Sequence, residues 1–259
     1  MDTKPGIMSR LEKTAFWAMF GVAEIFGVII VALMCYWTAI TRGGFAWQEN
    51  PGKQFNWHPL LMTVGLIYLY GNGMLLYRVF RNGKKKNLKI LHATVMIGSF
   101  VCMTVGLKAA FDSHDLKKPT PIPNMYSLHS WMGIIAAALF AMQWVAGFML
   151  FLVPNAASRL KAVYLNVHVW FGTFIFILSC ATALLGVTEK MLFVTIFAPE
   201  PLKGFYQRKD PEGLMMNTTS LLIIIFAALV VSLTTNAKYK RMPLPEETQI
   251  NEKEISDTE

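Results

Sequence analysis

Apolar residues fall along this chain in six long blocks, at 15–40, 57–80, 89–111, 127–153, 164–187 and 217–235, with polar and charged residues gathered between them. None of the blocks alternates with the period of two expected of a half-buried strand. Each is long enough to cross a bilayer core of about 30 Å, which takes roughly 20 residues. Backbone N–H and C=O groups find no water in hydrocarbon, so only helices or closed barrels satisfy them, and uninterrupted runs of this length predict helices. The reading is an all-α membrane protein with six transmembrane helices. The first block begins at residue 15 and is 26 residues long. That exceeds the apolar core of a signal peptide, about 7–15 residues, and no small-residue cleavage pattern follows it, so it is expected to be a retained helix.

Composition agrees: 54% of residues are hydrophobic and 15% charged, a balance that excludes an ordinary soluble domain. Of the 24 Lys and Arg, fifteen fall on one side of the six blocks, including the short loop "RNGKKKNLK" at 81–89, and nine on the other. Basic residues are retained on the cytoplasmic side, which predicts both termini cytoplasmic. The net charge of +8 is then membrane-surface charge, and no nucleic-acid partner is needed to explain it. The organisation is a cytoplasmic N-terminus at 1–14, a membrane domain at 15–236 and a polar, acidic, disordered cytoplasmic tail at 237–259. Cys35, Cys102 and Cys180 lie one per block, without metal-ligand or redox spacing, and no CxxCH is present for covalent haem attachment. The sequon at 217–219 lies too close to the sixth block for use. "YKRM" at 239–242 is a weak sorting pattern, and Glu24, inside the first block, has no assigned role.

Four of the five histidines sit just inside apolar blocks: His58 in "FNWHP", His92 in "LHA", His129 in "SLHSW" and His168 in "VHV". With the orientation above, His58 and His129 lie near the outer face and His92 and His168 near the inner one. Facing helices of a bundle present side chains to its core in this way. An ionisable residue within a span is a functional hypothesis by default, and neutral imidazole is a common metal ligand. Four such residues at two depths point to two bis-histidine sites.

Glycine placement bears on what those sites hold. On an α-helix, offsets of 14 and 18 residues return to nearly the same face, about 21 and 27 Å further along. Gly147 follows His129 by 18, Gly186 follows His168 by 18, and Gly106 follows His92 by 14. Three ligand-bearing helices thus lack a side chain on the histidine face at the level of the other site. A flat macrocycle needs that space and a bare ion does not, although glycine also serves helix packing in membranes.

The local matches "FNWHP", "LLYRVFR" (75–81), "NMYSLHSW" (124–131), "QWVAGF" (143–148) and "TALLGVTEK" (182–190) resemble the cytochrome b561 family of ascorbate-dependent transmembrane oxidoreductases, over roughly 55–233. The closest flavour is that of the chromaffin-granule, duodenal and lysosomal animal members. The resemblance implies that helices two to five form a four-helix bundle around two non-covalent b haems, with helices one and six outside. It implies pairing of His58 with His129 and of His92 with His168, and electron flow from cytoplasmic ascorbate to monodehydroascorbate or a ferric chelate on the other face. A vesicle, endolysosomal or plasma membrane and a possible homodimer go with it.

Ascorbate is an anion at neutral pH, and the basic residues near the inner level suit it. Lys85 and Lys89 precede His92 by seven and three residues, and Lys161 precedes His168 by seven. By resemblance Arg78 is a haem-propionate ligand and Lys85 an ascorbate ligand, with Lys89 beside them. Lys161 stands where the family usually has Arg, and Arg159 is a candidate substitute. On the outer side, Asn124, Met125, Tyr126 and Ser127 open the fourth helix, a place suited to a propionate. His114 resembles the acceptor-side histidine of ferric-reductase members, Lys108 and Lys118 add positive field, and Glu189 matches a family acidic residue. Rival readings are a histidine-lined transporter or proton channel, which would need polar pore-lining residues, and a haem-bearing subunit of a larger complex.

Overall fold

The computed structural model describes residues 8–153, 157–196 and 210–244. Among them are six helices long and apolar enough to span a membrane. In chain order they are α1 (Arg10–Thr41), α2 (Pro51–Val79), α3 (Lys85–Asp115), α4 (Leu128–Phe151), α5 (Ser158–Ile196) and α6 (Pro211–Thr235). Each covers its apolar block to within two residues, and most run past it into polar sequence. The extra turns are held by caps that hydropathy does not register. Ser9 and Glu12 close a reciprocal capping box on α1, with bonds of 3.2 and 2.9 Å. Asn50 and Asp210 accept from the third residue beyond them at 3.1 and 3.0 Å, each followed by a proline at the first helical position.

Helices α2, α3, α4 and α5 close a ring in which each touches the next and α5 returns to α2. Helices α1 and α6 pack on each other outside this ring, α1 against α2 and α6 against both α2 and α5. The burial pattern explains the layout. On α6 the buried positions Met216, Thr219, Ile223, Phe226, Val230 and Leu233 recur at alternating spacings of three and four, giving one continuous face. On α1 the positions Ala23, Gly27, Ile30 and Met34 do the same. Half of the apolar window of α2 is buried, against 17–28% for the other five, so α2 is the axle of the fold.

Close approach to α2 depends on glycine. A Cβ on Gly65 would stand 2.6 Å from Cys102 Cβ and 3.0 Å from the Ser99 carbonyl oxygen on α3. Ser99 Oγ donates to the Gly65 carbonyl at the same crossing, where α2 widens into a π-helical stretch at Thr63–Leu69. On the opposite side, Gly71 admits the Phe226 ring of α6, 2.9 Å from where its Cβ would be.

Both ends of the described chain meet at one face, with the α2–α3 loop. Lys238 pairs with Glu12 at 2.6 Å, and Arg81 donates to Met8 Sδ at 2.8 Å and to the Lys240 carbonyl at 3.0 Å. The first part of the segment read as a disordered tail is ordered here, because Ala237–Tyr239 forms a short 3-10 turn and the Tyr239 ring is buried 5.1 Å from Phe16. Residues 245–259 of that tail and 1–7 of the N-terminus lie outside the described residues.

The α2–α3 crossing yields a direct test. Gly65→Ala places a methyl against backbone that cannot yield, and overpacking of this kind destabilises by about 1–3 kcal/mol. Its thermal midpoint in detergent should fall, whereas Gly21→Ala, with nothing within 4 Å of the new methyl, should match the parent.

Candidate metal centres

The site at the end of the bundle away from the α2–α3 loop, termed outer as the end with that loop is termed inner, begins in the turn before α2 settles. Asn56, 4% exposed, donates through Nδ2 to the carbonyls of Gly44 at 2.6 Å and Arg42 at 3.1 Å, and Trp57 Nε1 donates to Ala46 at 3.1 Å. The α1–α2 loop is thereby tied to the head of α2. Pro59 falls within the first turn of the segment Trp57–Met62, where a missing N–H does little harm. The residue between these anchors is His58, whose ring faces that of His129 on α4 with centroids 6.0 Å apart. At the other end of the bundle, His92 on α3 faces His168 on α5 at 6.2 Å. The four-helix ring therefore presents one imidazole pair near each end.

The ring orientations are fixed across helix interfaces. His58 Nδ1 lies 3.1 Å from the Gly106 carbonyl, His92 Nδ1 2.9 Å from that of Gly73, and His129 Nδ1 2.9 Å from that of Thr182. A carbonyl can only accept, so each of these nitrogens carries the proton and leaves the other nitrogen with its lone pair available. A hydrogen bond of this kind from the far ring nitrogen is usual for histidines that hold a metal. His168 differs: its Nδ1 is buried without a protein partner among the described residues, and its own carbonyl accepts from Gln143 Nε2 at 2.6 Å.

The glycines singled out by spacing lie against the other site's histidine. A Cβ on Gly186 would be 2.6 Å from His129 Cε1, and one on Gly147 3.1 Å from His168 Cε1. Gly106 supplies the carbonyl for His58. What they make room for directly is the imidazole itself. From His92 to Gly106 is 14 residues of continuous helix, so the two levels are about 21 Å apart along α3.

Between the levels the bundle is closed by aromatic packing. Tyr70 contacts Phe140 at 5.0 Å and Phe176 at 5.6 Å, all three are at most 3% exposed, and the Tyr70 hydroxyl donates to the Gly172 carbonyl at 2.9 Å. This layer leaves no polar lining for an aqueous pore.

The remaining candidate residues divide by face. A cavity of about 500 Å³ at the outer level is lined by His58, His129, His114, Asn124, Tyr126, Glu189 and others. His114 belongs to the last turn of α3, and its Nδ1 is 2.9 Å from Asn124 Oδ1. Met125 takes a positive φ of 59°, and its carbonyl accepts from Trp131 Nε1 at 2.8 Å. Ser127 caps α4 and donates to Glu189 at 2.9 Å. Lys108 is held by Asp112 one turn on at 2.9 Å, and Lys118 lies beyond α3. On the inner face Lys85 and Lys161 are each within Coulomb range of Lys89, whose Nζ is 3.4 Å from the Phe151 carbonyl. Arg159 lies exposed near the start of α5. Arg78 points elsewhere: its guanidinium donates to the carbonyls of Thr234 and, at 3.4 Å, Asn236, closing the C-terminal end of α6.

A family model for eukaryotic cytochrome b561 matches residues 57–194, which contain all four paired histidines. The chain belongs to that family. It is 43% identical over 227 residues to the transmembrane ascorbate-dependent reductase CYB561 of Bos taurus, covering 88% of this chain and 85% of the relative. The Homo sapiens reductase of the same name is 41% identical over 246 residues, with 95% and 93% covered. The lysosomal membrane ascorbate-dependent ferrireductase CYB561A3 of Danio rerio is 36% identical over 228 residues, with 87% and 90% covered.

Membership in the cytochrome b561 family implies haem b, and the residues present fit it. Metal–nitrogen bonds of about 2.0 Å on either side, plus the reach of each ring from centroid to nitrogen, account for separations near 6 Å. No group of three or more His, Cys, Asp or Glu able to hold a metal ion occurs among the described residues. The imidazole pairs, His58 with His129 and His92 with His168, would hold such a group, which would supply one-electron chemistry.

Sequence reasoning passed over several residues of these sites: Gly73, Thr182, Gln143, Asn56 and Lys190. Gly73 had a weaker signal, since it follows His58 by 15 residues, one more than the offset of 14 that marked Gly106. The backbone carbonyl of Thr182 had none.

Tyr126 offers a pH test of the outer rim. Its phenol is held above the ordinary 10.0, by burial first and by the neighbouring Glu189 carboxylate second. Because the folded value is the raised one, the neutral phenol's contribution to stability is whole below pH 10 and is lost as pH climbs through the raised value. Subtracting the ultraviolet titration of Tyr126→Phe from that of the parent should leave one tyrosine that ionises above the ordinary 10.0. Glu189→Gln should bring it only part of the way back, since burial remains.

Proposed function

We propose that this protein carries single electrons across a membrane, from ascorbate on the cytoplasmic side to a non-cytoplasmic acceptor, either monodehydroascorbate or a ferric chelate, by way of two b haems. The observation that carries this reading is the pair of facing imidazoles at each end of one four-helix ring, 6.0 and 6.2 Å apart. Haem, if bound there, would be held by His58 with His129 and by His92 with His168 and would supply reversible one-electron chemistry. The names of the relatives support the donor and the ferric acceptor for this chain.

Lys85, Lys89 and Lys161 form a basic floor on the face that also carries the chain ends, and an anionic donor is drawn to it electrostatically. The excess of Lys and Arg there argues that this face is cytoplasmic. The aromatic layer of Tyr70, Phe140 and Phe176 excludes water between the levels, which favours electron passage over passage of ions. On the outer side His114 and Asn124 open the cavity to the acceptor. Arg78 and Lys108 take lesser parts here, because each is engaged elsewhere.

Haem extraction with iron counting should give two per chain, and His58→Ala and His92→Ala should each retain a different one, separable by visible spectrum. A stable ratio of one in fully folded protein overturns the reading. Loss of a charged hydrogen bond at the donor seat typically removes about 1.5–3 kcal/mol, at least about tenfold in rate or affinity. Lys85→Ala should therefore slow reduction by ascorbate at least about tenfold while leaving reduction by dithionite unchanged, and Lys84→Ala should have much less effect.

A further inference from the structure

We propose that Lys190 is the cationic partner of a carboxylate held in the outer cavity, beside His58 and His129. The inference rests on the two-haem reading above and adds a residue to it. Lys190 follows Gly186 by one helical turn on α5, and residues four apart share a face. Gly186 is the residue pressed against the His129 ring, so Lys190 projects from the same face, one turn further along. Its Nζ stands 4.5 Å from the centre of the Phe55 ring, which in turn lies 5.7 Å from the His58 ring. Lys190 and both histidines line the one cavity of about 500 Å³.

The ammonium lacks an anion there. Arg42 and Lys117 lie within Coulomb range and add positive charge. Glu212, the acid within that range, is engaged by the Arg42 guanidinium and by Trp37 Nε1 at 2.6 Å. Glu189, next in sequence, turns to Ser127. Among the described residues no carboxylate reaches ion-pairing distance of Lys190. An ammonium drawn away from water without a counter-ion is strongly disfavoured, and a site so built is complete only when its occupant brings negative charge. The lone ammonium together with the Phe55 ring suits a carboxylate on a flat apolar body. Two sources carry that chemistry: a propionate of the outer haem, and the carboxylates of an anionic ferric chelate.

Full-length Lys190→Met, Lys190→Gln and Lys190→Arg, purified in detergent, separate the two. Redox titration by visible absorbance, without acceptor, reads both haems. If the carboxylate belongs to the haem, the neutral variants should lower the reduced-to-oxidised ratio of the outer haem about tenfold at fixed potential, about 59 mV for one electron. The inner haem should not move, and Lys190→Arg should restore the outer one. If it belongs to the acceptor, both haems should titrate as in the parent. KM for ferric citrate should then rise about tenfold with kcat kept, again restored by Arg. Neutral variants with an unmoved inner haem, an outer ratio within twofold and an unchanged KM overturn the assignment of Lys190. A parent protein with a single haem overturns the two-haem reading and this assignment with it.

Discussion

A neutral imidazole offers a lone pair at one nitrogen only when the other keeps the proton, and in a dry helix bundle that proton must itself be given to an acceptor. Three of the four paired histidines give it to a backbone carbonyl on a facing helix. Those carbonyls belong to residues in helix interiors, and two of the three are glycines, so the acceptor is reachable only where the helices come close. Ring orientation and helix packing are therefore one constraint. Moving α2 away from α3 would turn the rings of His58 and His92 together, because Gly106 and Gly73 orient them from opposite ends of the same interface. This explains the glycines that α2, the most buried helix, turns toward α3, at Gly65 and Gly73, whereas Gly71 serves the contact with α6.

The polar ends of the helices do a different job. Inside the bilayer the fold needs only apolar faces in register, but at each surface the last turns must satisfy their free backbone groups. Ser9, Asn50, Ser127 and Asp210 do so at helix starts. Arg78 does so at the end of α6, where the carbonyls of Thr234 and Asn236 take its guanidinium. An arginine placed near a haem by sequence likeness thus also closes a helix, and its removal would act on fold as well as on charge.

Much of the architecture is legible in the sequence because hydrophobic length is a direct physical requirement of the bilayer. The placing of α1 and α6 outside the ring was implied by family likeness and is not encoded in any local run. The depth of each histidine could be read because an imidazole inside an apolar block is conspicuous. The carbonyl partners could not, since a backbone oxygen carries no side-chain signature, as Thr182 shows. Charges were the least legible feature. Lys108 reads as free positive field until Asp112, four residues on, is seen to hold it. Lys190 reads as one more basic residue outside the span until α5 continues past it to Ile196 and turns it into the cavity.

The same geometry separates electron transfer from the rival of a histidine-lined conduit. A proton or ion path needs polar groups or water at every step between the faces, since an unsolvated charge in hydrocarbon is prohibitive. Here the two imidazole levels are separated by about 21 Å, and the middle of that interval holds Tyr70, Phe140, Phe176 and Ile175, all nearly inaccessible. The buried hydroxyls of Tyr70, Ser99 and Ser179 in that interval are already committed to the carbonyls of Gly172, Gly65 and Ile175. An electron needs no such chain of donors and acceptors, and it benefits from a rigid, dry interval that holds both centres fixed. The layer that would block a channel is no obstacle to an electron.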